Sequence, residues 1–190
     1  GTIILVAQPT PDNLLEAINK HKPNLWAAVP AMIIGLNNHP DIGKSQISSI
    51  KGIFSGSAPL AVGTLERFEQ LSGGKIFEGA GMSETINIYT VNPVITKRKF
   101  GSCGIIWPDT DLVVVDAETG KKVMPRGEAG EMIGRGPQFI TEYWNNPEET
   151  AKTVRDGWVY TGDIVTIDEE GFVFIQDRKK DMIIVNGFNV

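Results

Sequence analysis

The spacing of apolar residues changes about halfway along the chain. Up to about residue 90, short apolar runs alternate with helical segments; after the cap Thr10-Pro11-Asp12, for example, Leu14, Leu15 and Ile18 share one face. This alternation predicts β/α units with a mainly parallel sheet. After about residue 100, short apolar runs are separated by Gly, Asp and Pro turns, which predicts antiparallel strands in a distorted sheet or barrel. The sequence therefore predicts an α/β fold whose second part is rich in strands.

Individual elements follow from the same patterns. Helices are predicted to begin at prolines 11, 30 and 147, where proline suits the first helical position, and Val62, Leu65, Phe68 and Leu71 mark a further amphipathic helix. The predicted strands are Ile3–Val6, Leu25–Ala28, Ile50–Phe54, Lys75–Phe77, Leu112–Val115, Gly130–Ile133 and a run within Val165–Ile175.

Composition narrows the class of ligand. The 190 residues are 41% hydrophobic and carry a net charge of −5, which favours a folded protein and argues against a nucleic-acid binder. One cysteine excludes an internal disulfide, and with two histidines no Cys/His zinc cluster can form, so a reducing compartment is expected. The run Ile3–Ala7 is far shorter than the ~20 residues of a membrane span. A small-molecule ligand is therefore expected.

Two loops rich in small residues follow predicted strands. The first is the stretch Phe54–Leu60, whose small residues allow the backbone to approach a flat ligand closely. In the second, Glu78–Thr85, two glycines flank Ala80 before a hydroxyl and a carboxylate appear. Backbone N–H groups could meet phosphate there, and a carboxylate could meet Mg²⁺. The alternative is a helix capping box with Ser83 as its N-cap.

Two later segments carry charge at turn-like positions. The stretch Tyr160–Asp163 puts a carboxylate just after a predicted tight turn, where it could accept hydrogen bonds from a ribose diol. The alternative is an ordinary hairpin turn. The run Asp177–Asp181 precedes an apolar strand, and its alternative is a solvated loop. We interpret Gly43-Lys44-Ser45 as a chance match to a phosphate loop, and Cys103 as a small buried residue rather than a nucleophile.

Taken together, in this order and spacing, the four segments resemble the adenylate-forming ligases. This superfamily includes acyl-CoA synthetases, luciferases and peptide-synthetase adenylation domains. The runs SGSAPL (55–60), GEAGEMIGRGPQFITEYWNNPEET (127–150) and DRKKDMIIVNGFNV (177–190) are most similar to long-chain fatty-acid–CoA ligases. The resemblance implies an internal fragment of the large N-terminal domain of such an enzyme. The expected parts are a nucleotide- and acyl-binding β/α subdomain (1–99), a β-rich subdomain (100–177), and the hinge with the start of the C-terminal domain (178–190).

The resemblance also implies roles for individual residues. Ser83 would lie near the α-phosphate, Glu84 would bind Mg²⁺, and Asp163 would bind the ribose hydroxyls. Ile175 would contact adenine and Arg178 the ribose. Lys180 would be the hinge, and Asn186, Gly187 and Phe188 would belong to the loop lining the CoA tunnel. The remaining nucleotide-binding positions implied by the resemblance are Gly56, Ser57, Ala58, Pro59, Glu78, Gly79, Ala80, Gly81 and Met82.

The implied reaction joins a fatty acid to CoA. A carboxylate attacks Mg·ATP to give an acyl-adenylate, and the CoA thiol then displaces AMP. Relatives commonly have an aromatic residue at the position of Ala80, so we expect weaker stacking on adenine, an effect of about 1–3 kcal/mol in nucleic-acid systems. The family's phosphate loop and its catalytic lysine are missing, so we expect the chain by itself to have little or no activity.

Several alternatives stay open at this level. The parent could instead be a medium-chain or aryl-acid ligase, or a peptide-synthetase adenylation domain. The chain could also be a non-catalytic adenine-nucleotide-binding module. The expected partners are fatty acid, ATP and CoA, with no nucleic acid. A cytoplasmic location is expected, while peripheral membrane contact and a homodimer are left open.

Overall fold

The computed structural model describes residues 1–86 and 88–179, together with the backbone of two short strands at 184–185 and 188–189. The chain divides into two compact units, of which the first is made mainly of residues 1–78 and the second begins at Gly79. Each unit has its own hydrophobic core. The expected subdomain limits after residues 99 and 177 stay predictions.

The first unit is built from β/α repeats. Strand β2 lies between β1 and β3 and is parallel to both, so that Ser55 pairs with Ala28 on one side and with Glu78 on the other. The predicted parallel arrangement is therefore confirmed. The elements in chain order are α1 (Pro11–His21), β1 (Leu25–Ala28), α2 (Pro30–Asn37), β2 (Gly52–Ser55), α3 (Val62–Ser72) and β3 (Lys75–Ala80).

Helix α1 shows why these elements form where the sequence predicts them. The Thr10 hydroxyl accepts a hydrogen bond of 3.3 Å from the backbone N–H of Asn13, which satisfies one of the free donors of the first turn. The helix ends at His21, and the following C-cap residue, Lys22, adopts a left-handed φ of 48°. Its apolar face packs into the core of the first unit; the buried residues are Leu14, Leu15 and Ile18.

The predicted strand Ile3–Val6 is wrong. Residues 1–6 have no regular secondary structure, and Ile3 and Leu5 are 87% and 89% exposed. A strand needs a neighbour that receives its backbone hydrogen bonds, and no described strand pairs with this segment. An apolar run was therefore insufficient to make a strand here.

The second unit is mostly antiparallel, as predicted. Its main sheet has the order β10-β9-β7-β6, and β8 also pairs with β9. A shorter ladder joins Gly79 and Ala80, at the end of β3, to β4 and then to β5. The elements are β4 (Thr90–Val91), β5 (Ile105–Ile106), β6 (Asp111–Val115), β7 (Gly130–Arg135), α4 (Pro147–Thr153), β8 (Val154–Arg155), β9 (Trp158–Ile167) and β10 (Val173–Arg178).

Strand β9 contains a bulge where the sequence suggested a turn. Ile164 pairs with Glu131 and Tyr160 pairs with Ile133, so three residues of β9 lie opposite the single residue Met132 of β7. Gly162, inside this bulge, has a φ of 73°, which glycine adopts at little cost. The prediction of a tight turn before Asp163 is therefore wrong, because the segment continues through the strand.

A second bulge lies in β10. Ile175 pairs with Val165, whereas Asp177 pairs with Ile164 and Arg178 with Asp163, so Gln176 is an extra residue on this strand. In addition, a short hairpin is formed by β11 (Ile184–Val185) and β12 (Phe188–Asn189). Among the described residues, no helix is both long and apolar enough to cross a membrane.

Candidate nucleotide-binding site

Among the predicted site positions that the structure describes, Asp163 is the most deeply buried charged residue. Its side chain is 1% exposed, and the Nε of Arg178 lies 2.8 Å from its Oδ1. The Oη of Tyr89 donates a hydrogen bond of 2.7 Å to its Oδ2. The structure therefore brings together two predicted site residues, Asp163 and Arg178, and adds a tyrosine that the sequence did not indicate.

Burial and the neighbouring polar groups shift the pKa of the Asp163 carboxyl in opposite directions. Burial raises its pKa above the usual value, while the Tyr89 hydroxyl and the Arg178 guanidinium lower it without cancelling that effect. The pKa of Tyr89 is raised well above its usual value, first by burial and then by the Asp163 charge. A carboxylate kept in such surroundings is typical of a functional site.

The backbone near Asp163 is held at several points. The Thr161 hydroxyl donates to the carbonyl of Met132 at 2.7 Å and accepts from the N–H of Asp163 at 3.1 Å. These bonds fix the bulged part of β9. Ile175, predicted to contact adenine, lies on β10 and is 38% exposed, so its surface is available to a ligand.

The second predicted loop is organised by a short 3-10 helix at Ser83–Thr85. The Thr85 hydroxyl donates to the carbonyl of Met82 and accepts from its N–H, at 3.0 and 3.1 Å. Met82, rather than Ser83, is therefore the N-cap, and the capping role considered for Ser83 is wrong. The Ser83 side chain is exposed.

Glu84 is tied to the segment around residue 140. Its carbonyl accepts a hydrogen bond of 2.8 Å from the N–H of Ile140, and its Oε1 accepts one of 2.7 Å from the Oη of Tyr143. Burial and then the Glu84 carboxylate raise the pKa of Tyr143, so the phenol stays a donor at neutral pH. A predicted metal ligand thus has a defined orientation.

The glycine-rich part of this loop continues strand β3. Ala80 is 9% exposed and belongs to the core of the second unit, and its carbonyl accepts a hydrogen bond of 2.9 Å from the N–H of Tyr89. Gly79 pairs with Val91, while Gly81 and Met82 are half-buried. The consequence of Ala80 for adenine stacking stays a prediction.

The first predicted loop lies in the first unit. Gly56, Ala58 and Pro59 are part of the irregular segment after β2, and Ser57 has a φ of 72°. Such a conformation is uncommon for residues other than glycine and is often found at functional positions. Glu78, at the end of this unit, accepts a hydrogen bond of 3.3 Å from the N–H of Leu60.

An ion pair with one buried partner follows the predicted ribose site. The Nζ of Lys179 lies 2.8 Å from the Oε2 of Glu131, whose side chain is 5% exposed, and the N–H of Gly162 donates to its Oε1 at 3.2 Å. The N–H of Lys179 donates to the carbonyl of Gly162 at 2.8 Å. The charged run is therefore anchored up to residue 179, rather than being a solvated loop.

Some predicted positions lie outside the described residues. These are Lys180, expected to be the hinge, Asn186 and Gly187 of the expected CoA-tunnel loop, and the side chain of Phe188. Their roles stay predictions.

Sequence reasoning missed four residues that contact the predicted site. Tyr89 carries no motif-like signal, whereas Glu131, Tyr143 and Lys179 lie inside runs that the resemblance already covered. Contacts between residues about 50 to 75 positions apart cannot be read from local patterns, which explains the omission.

The residues present fit a nucleotide-bound Mg²⁺ better than a protein-only metal site. Within residues 1–86 and 88–179, no group of three or more His, Cys, Asp and Glu side chains could hold a metal ion. Glu84 offers one half-buried carboxylate. Mg²⁺ usually takes one or two carboxylates together with substrate phosphates and water, so a single glutamate suffices when ATP is present.

Comparison with protein families matches residues 1–144 to the family model described as AMP-binding enzyme. The chain belongs to the AMP-binding enzyme family. Among its relatives, the long-chain-fatty-acid–CoA ligase of Bacillus subtilis (strain 168) is 46% identical over 188 residues, which are 99% of this chain and 33% of that protein. 4-Coumarate–CoA ligase 1 of Glycine max is 35% identical over 196 residues, which cover 100% of this chain and 67% of that protein.

Solved structures agree with this assignment. An anthranilate CoA ligase, AuaEII, in complex with anthranoyl-AMP superposes with a TM-score of 0.87 at 27% identity, covering 99% of this chain and 36% of that one. ATP-bound MatB from Rhodopseudomonas palustris superposes with a TM-score of 0.81 at 36% identity, covering 95% of this chain and 35% of that one. This AMP-binding enzyme chain thus has the fold of part of an adenylate-forming ligase. It spans about a third of the length of the Bacillus and Salmonella ligases it matches.

Proposed function

We propose that this chain supplies part of the ATP site of an acyl-CoA ligase that activates long-chain fatty acids. The observation that carries the proposal is the buried Asp163 carboxylate, held by Arg178 at the end of β10. Burying a charge is costly unless the fold uses it, and a carboxylate can accept hydrogen bonds from both hydroxyls of a ribose. The 46% identity to a fatty-acid ligase supports the choice of substrate.

In this proposal, the residues of the chain bind and orient the nucleotide. Asp163 and Arg178 hold the ribose, Ile175 and Ala80 lie beside the base, and Ser83 donates to the α-phosphate. The loop Gly79–Met82 provides close backbone approach, and the nucleotide contacts of Gly56–Pro59 and Glu78 stay predictions from the resemblance. Glu84 would hold Mg²⁺, which would neutralise phosphate charge when bound.

The acid substrate needs no strong base in this scheme. A fatty acid is ionised at neutral pH, because its carboxyl pKa resembles that of an acidic side chain. The carboxylate oxygen attacks the α-phosphorus, pyrophosphate leaves, and the CoA sulfur later displaces AMP from the acyl carbon. Positioning and charge neutralisation are then the main contributions of the protein. The scarcity of histidine, two residues in the whole chain, is consistent with this chemistry.

AMP formation tests the proposal. The 190-residue chain and the full-length ligase that contains it are compared, each with Mg·ATP, CoA and acids from short to long chain. We expect activity in the full-length protein, highest with long acids, and little or none in the 190-residue chain. The Asp163→Ala variant of the full-length protein should raise the KM for ATP at least about tenfold. An unchanged KM would contradict the assignment of the ribose site.

A second candidate substrate is an aryl acid. The 35% identity to a 4-coumarate–CoA ligase, and the superposition on an anthranilate CoA ligase, favour including such acids in the same assay. Preference for 4-coumarate or anthranilate over palmitate would replace the fatty acid in the proposal and leave the nucleotide site unchanged. Tight AMP binding without AMP formation by the full-length protein would instead favour a nucleotide-binding module. The cytoplasmic location and the use of CoA are parts of the same proposal.

A further inference from the structure

Tyr89 is buried beside the candidate ribose site although no sequence motif marks it. Its side chain is 1% exposed, and its hydroxyl donates to Asp163, 74 positions further along the chain. The hydroxyl is 2.7 Å from Oδ2, while Arg178 lies 2.8 Å from Oδ1. The two oxygens of one carboxylate are thus contacted from two different segments, the residue just before β4 and the last residue of β10.

Two such contacts fix a side chain that would otherwise rotate. The terminal torsion of aspartate is broad and roughly two-fold, so a carboxylate with a single partner samples a range of orientations. The hydrogen bond from Tyr89 to Oδ2 and the Arg178 charge 2.8 Å from Oδ1 restrict this torsion, while Oδ1 accepts no hydrogen bond from the described residues. The carboxylate therefore keeps acceptor capacity on Oδ1 for a ribose hydroxyl.

The backbone of Tyr89 is itself fixed. Its N–H donates to the carbonyl of Ala80 at 2.9 Å, and its carbonyl accepts from the N–H of Trp107 at 2.9 Å. Tyr89 therefore connects Ala80, at the end of β3, with Asp163 on β9. The resemblance implies that both residues contact the same nucleotide.

We propose that Tyr89 is the positioning residue that orients the Asp163 carboxylate toward the hydroxyls of the nucleotide ribose. This inference rests on the proposed function, since it requires Asp163 to bind ribose. The competing explanation is a core tyrosine whose hydroxyl merely satisfies a buried carboxylate. The two differ in one property: a positioning residue affects ligands that have ribose hydroxyls and spares ligands that lack them.

The test compares AMP with 2′,3′-dideoxy-AMP by calorimetry on the full-length ligase. The wild type is expected to bind AMP at least about tenfold more tightly than the dideoxy nucleotide, because polar groups built to pair with hydroxyls are left unpaired without them. Tyr89→Phe should weaken the binding of AMP about tenfold and change the affinity for dideoxy-AMP by less than about twofold. The AMP preference would then nearly vanish.

A matched control removes a different tyrosine hydroxyl from the same unit. The Oη of Tyr160, on β9, donates to the carbonyl of Gly120 at 3.1 Å, so Tyr160→Phe loses a hydrogen bond without involving Asp163. This variant should keep the wild-type preference. Thermal unfolding of both variants checks that they are folded.

The outcomes separate the two proposals. If Tyr89→Phe weakens the binding of both nucleotides equally, or weakens the binding of neither, the proposed role of Tyr89 is overturned. If Asp163→Ala also keeps the full AMP preference, or the wild type binds AMP no better than dideoxy-AMP, the ribose site itself is wrong and the inference falls with it. Loss of the preference in Asp163→Ala but not in Tyr89→Phe would overturn the inference alone. A Tyr89→Phe protein that does not fold would favour the core explanation.

Discussion

Arg178 lies directly opposite Asp163 in the antiparallel pair of β9 and β10, with its Nε 2.8 Å from Oδ1. The bulge at Gln176 produces this pairing. If the register of Val173 and Ile175 continued without it, Asp177 would lie opposite Asp163. Two carboxylates would then face each other, and like charges in directly opposed positions are destabilising. One inserted residue therefore converts a repulsive pair into an attractive one at the candidate ribose site.

The raised pKa of Asp163 predicts a specific dependence of stability on pH. Its protonated form favours the folded state, so this contribution is fully present below the unfolded pKa of about 3.9 and is lost as pH rises through the higher folded pKa. Wild type should therefore lose stability relative to Asp163→Asn as the pH rises from about 4. Urea unfolding of both proteins across the acidic range measures this difference.

Asp168 provides a control, because its pKa is shifted in the opposite direction to that of Asp163. Burial acts to raise its pKa, but hydrogen bonds from Lys99 and from the N–H of Phe172 outweigh it and lower the pKa. Its contribution is present above the unfolded pKa and is lost as pH falls through the folded value. Asp168→Asn should lose stability relative to wild type at neutral pH, and the difference should shrink in acid. The same trend in both variants would contradict the assignment of either shift.

The ion pair Lys179–Glu131, in which only the glutamate is buried, should contribute more to stability than a fully exposed pair. Lys179→Met leaves the Glu131 carboxylate buried with its hydrogen bond from Gly162. Removing one partner of a buried pair costs about 3–5 kcal/mol, and the half-exposed lysine reduces this to about 1–3 kcal/mol of unfolding free energy. Chemical denaturation gives the value.

The exposed pair Lys152–Glu148, within α4, is the comparison. Its atoms are 2.9 Å apart, and both side chains are more than half exposed. Lys152→Met should change the unfolding free energy by less than about 0.5 kcal/mol. Equal effects of the two lysine substitutions would show that burial of Glu131 does not set the cost.

Tyr143 should influence the metal requirement through Glu84. Tyr143→Phe removes the 2.7 Å hydrogen bond to Oε1 and frees the carboxylate to rotate. Loss of a group that orients a metal ligand typically costs about 10- to 100-fold in affinity, so the Mg²⁺ concentration giving half-maximal AMP formation should rise at least about tenfold. Electron paramagnetic resonance of Mn²⁺, with ATP bound, provides a readout independent of turnover. Unchanged Mn²⁺ affinity would contradict the role of Tyr143.

Gly104 should tolerate no side chain. It has a φ of 90°, and an added Cβ would lie 1.9 Å from the backbone of Val91. Its carbonyl accepts a hydrogen bond of 2.8 Å from the N–H of Val173, so the backbone has little freedom to move away. Gly104→Ala should therefore destabilise by at least about 4 kcal/mol or prevent folding, a size tied to overpacking and backbone strain.

Gly101 allows the steric clash of an added Cβ to be separated from the strain of a positive φ. Its φ of 79° is similar, but an added Cβ would meet no atom within 4 Å. Gly101→Ala should cost only the conformational term, about 1 to 2 kcal/mol. Soluble yield and thermal unfolding of both variants test this, and similar losses would show that the contact with Val91 is unimportant.

Local patterns in the sequence predicted most of the elements. Thr10 and Asn146 precede helices because their side chains accept hydrogen bonds from backbone N–H groups. The apolar spacing from Val62 to Leu71 predicted helix α3, which buries Leu65 and Phe68 and leaves Val62 exposed. The motif-like loops also pointed to the correct family, because the resemblance depends on residue order, which the sequence contains in full. These features depend on interactions over a few residues.

Tertiary structure decided the register and the partners. The two bulges place Asp163 opposite Arg178 and join Gly162 to Lys179, and neither bulge can be read from period-two alternation. Ile3–Val6 has the composition of a strand yet pairs with no described strand. The contacts of Tyr89 and Tyr143 could likewise not be predicted from sequence, because each phenol reaches its carboxylate only when segments far apart in the chain are packed together. Sequence thus determined which chemical groups this protein carries, and packing determined which of them meet, since hydrogen bonds and ion pairs require contact in space.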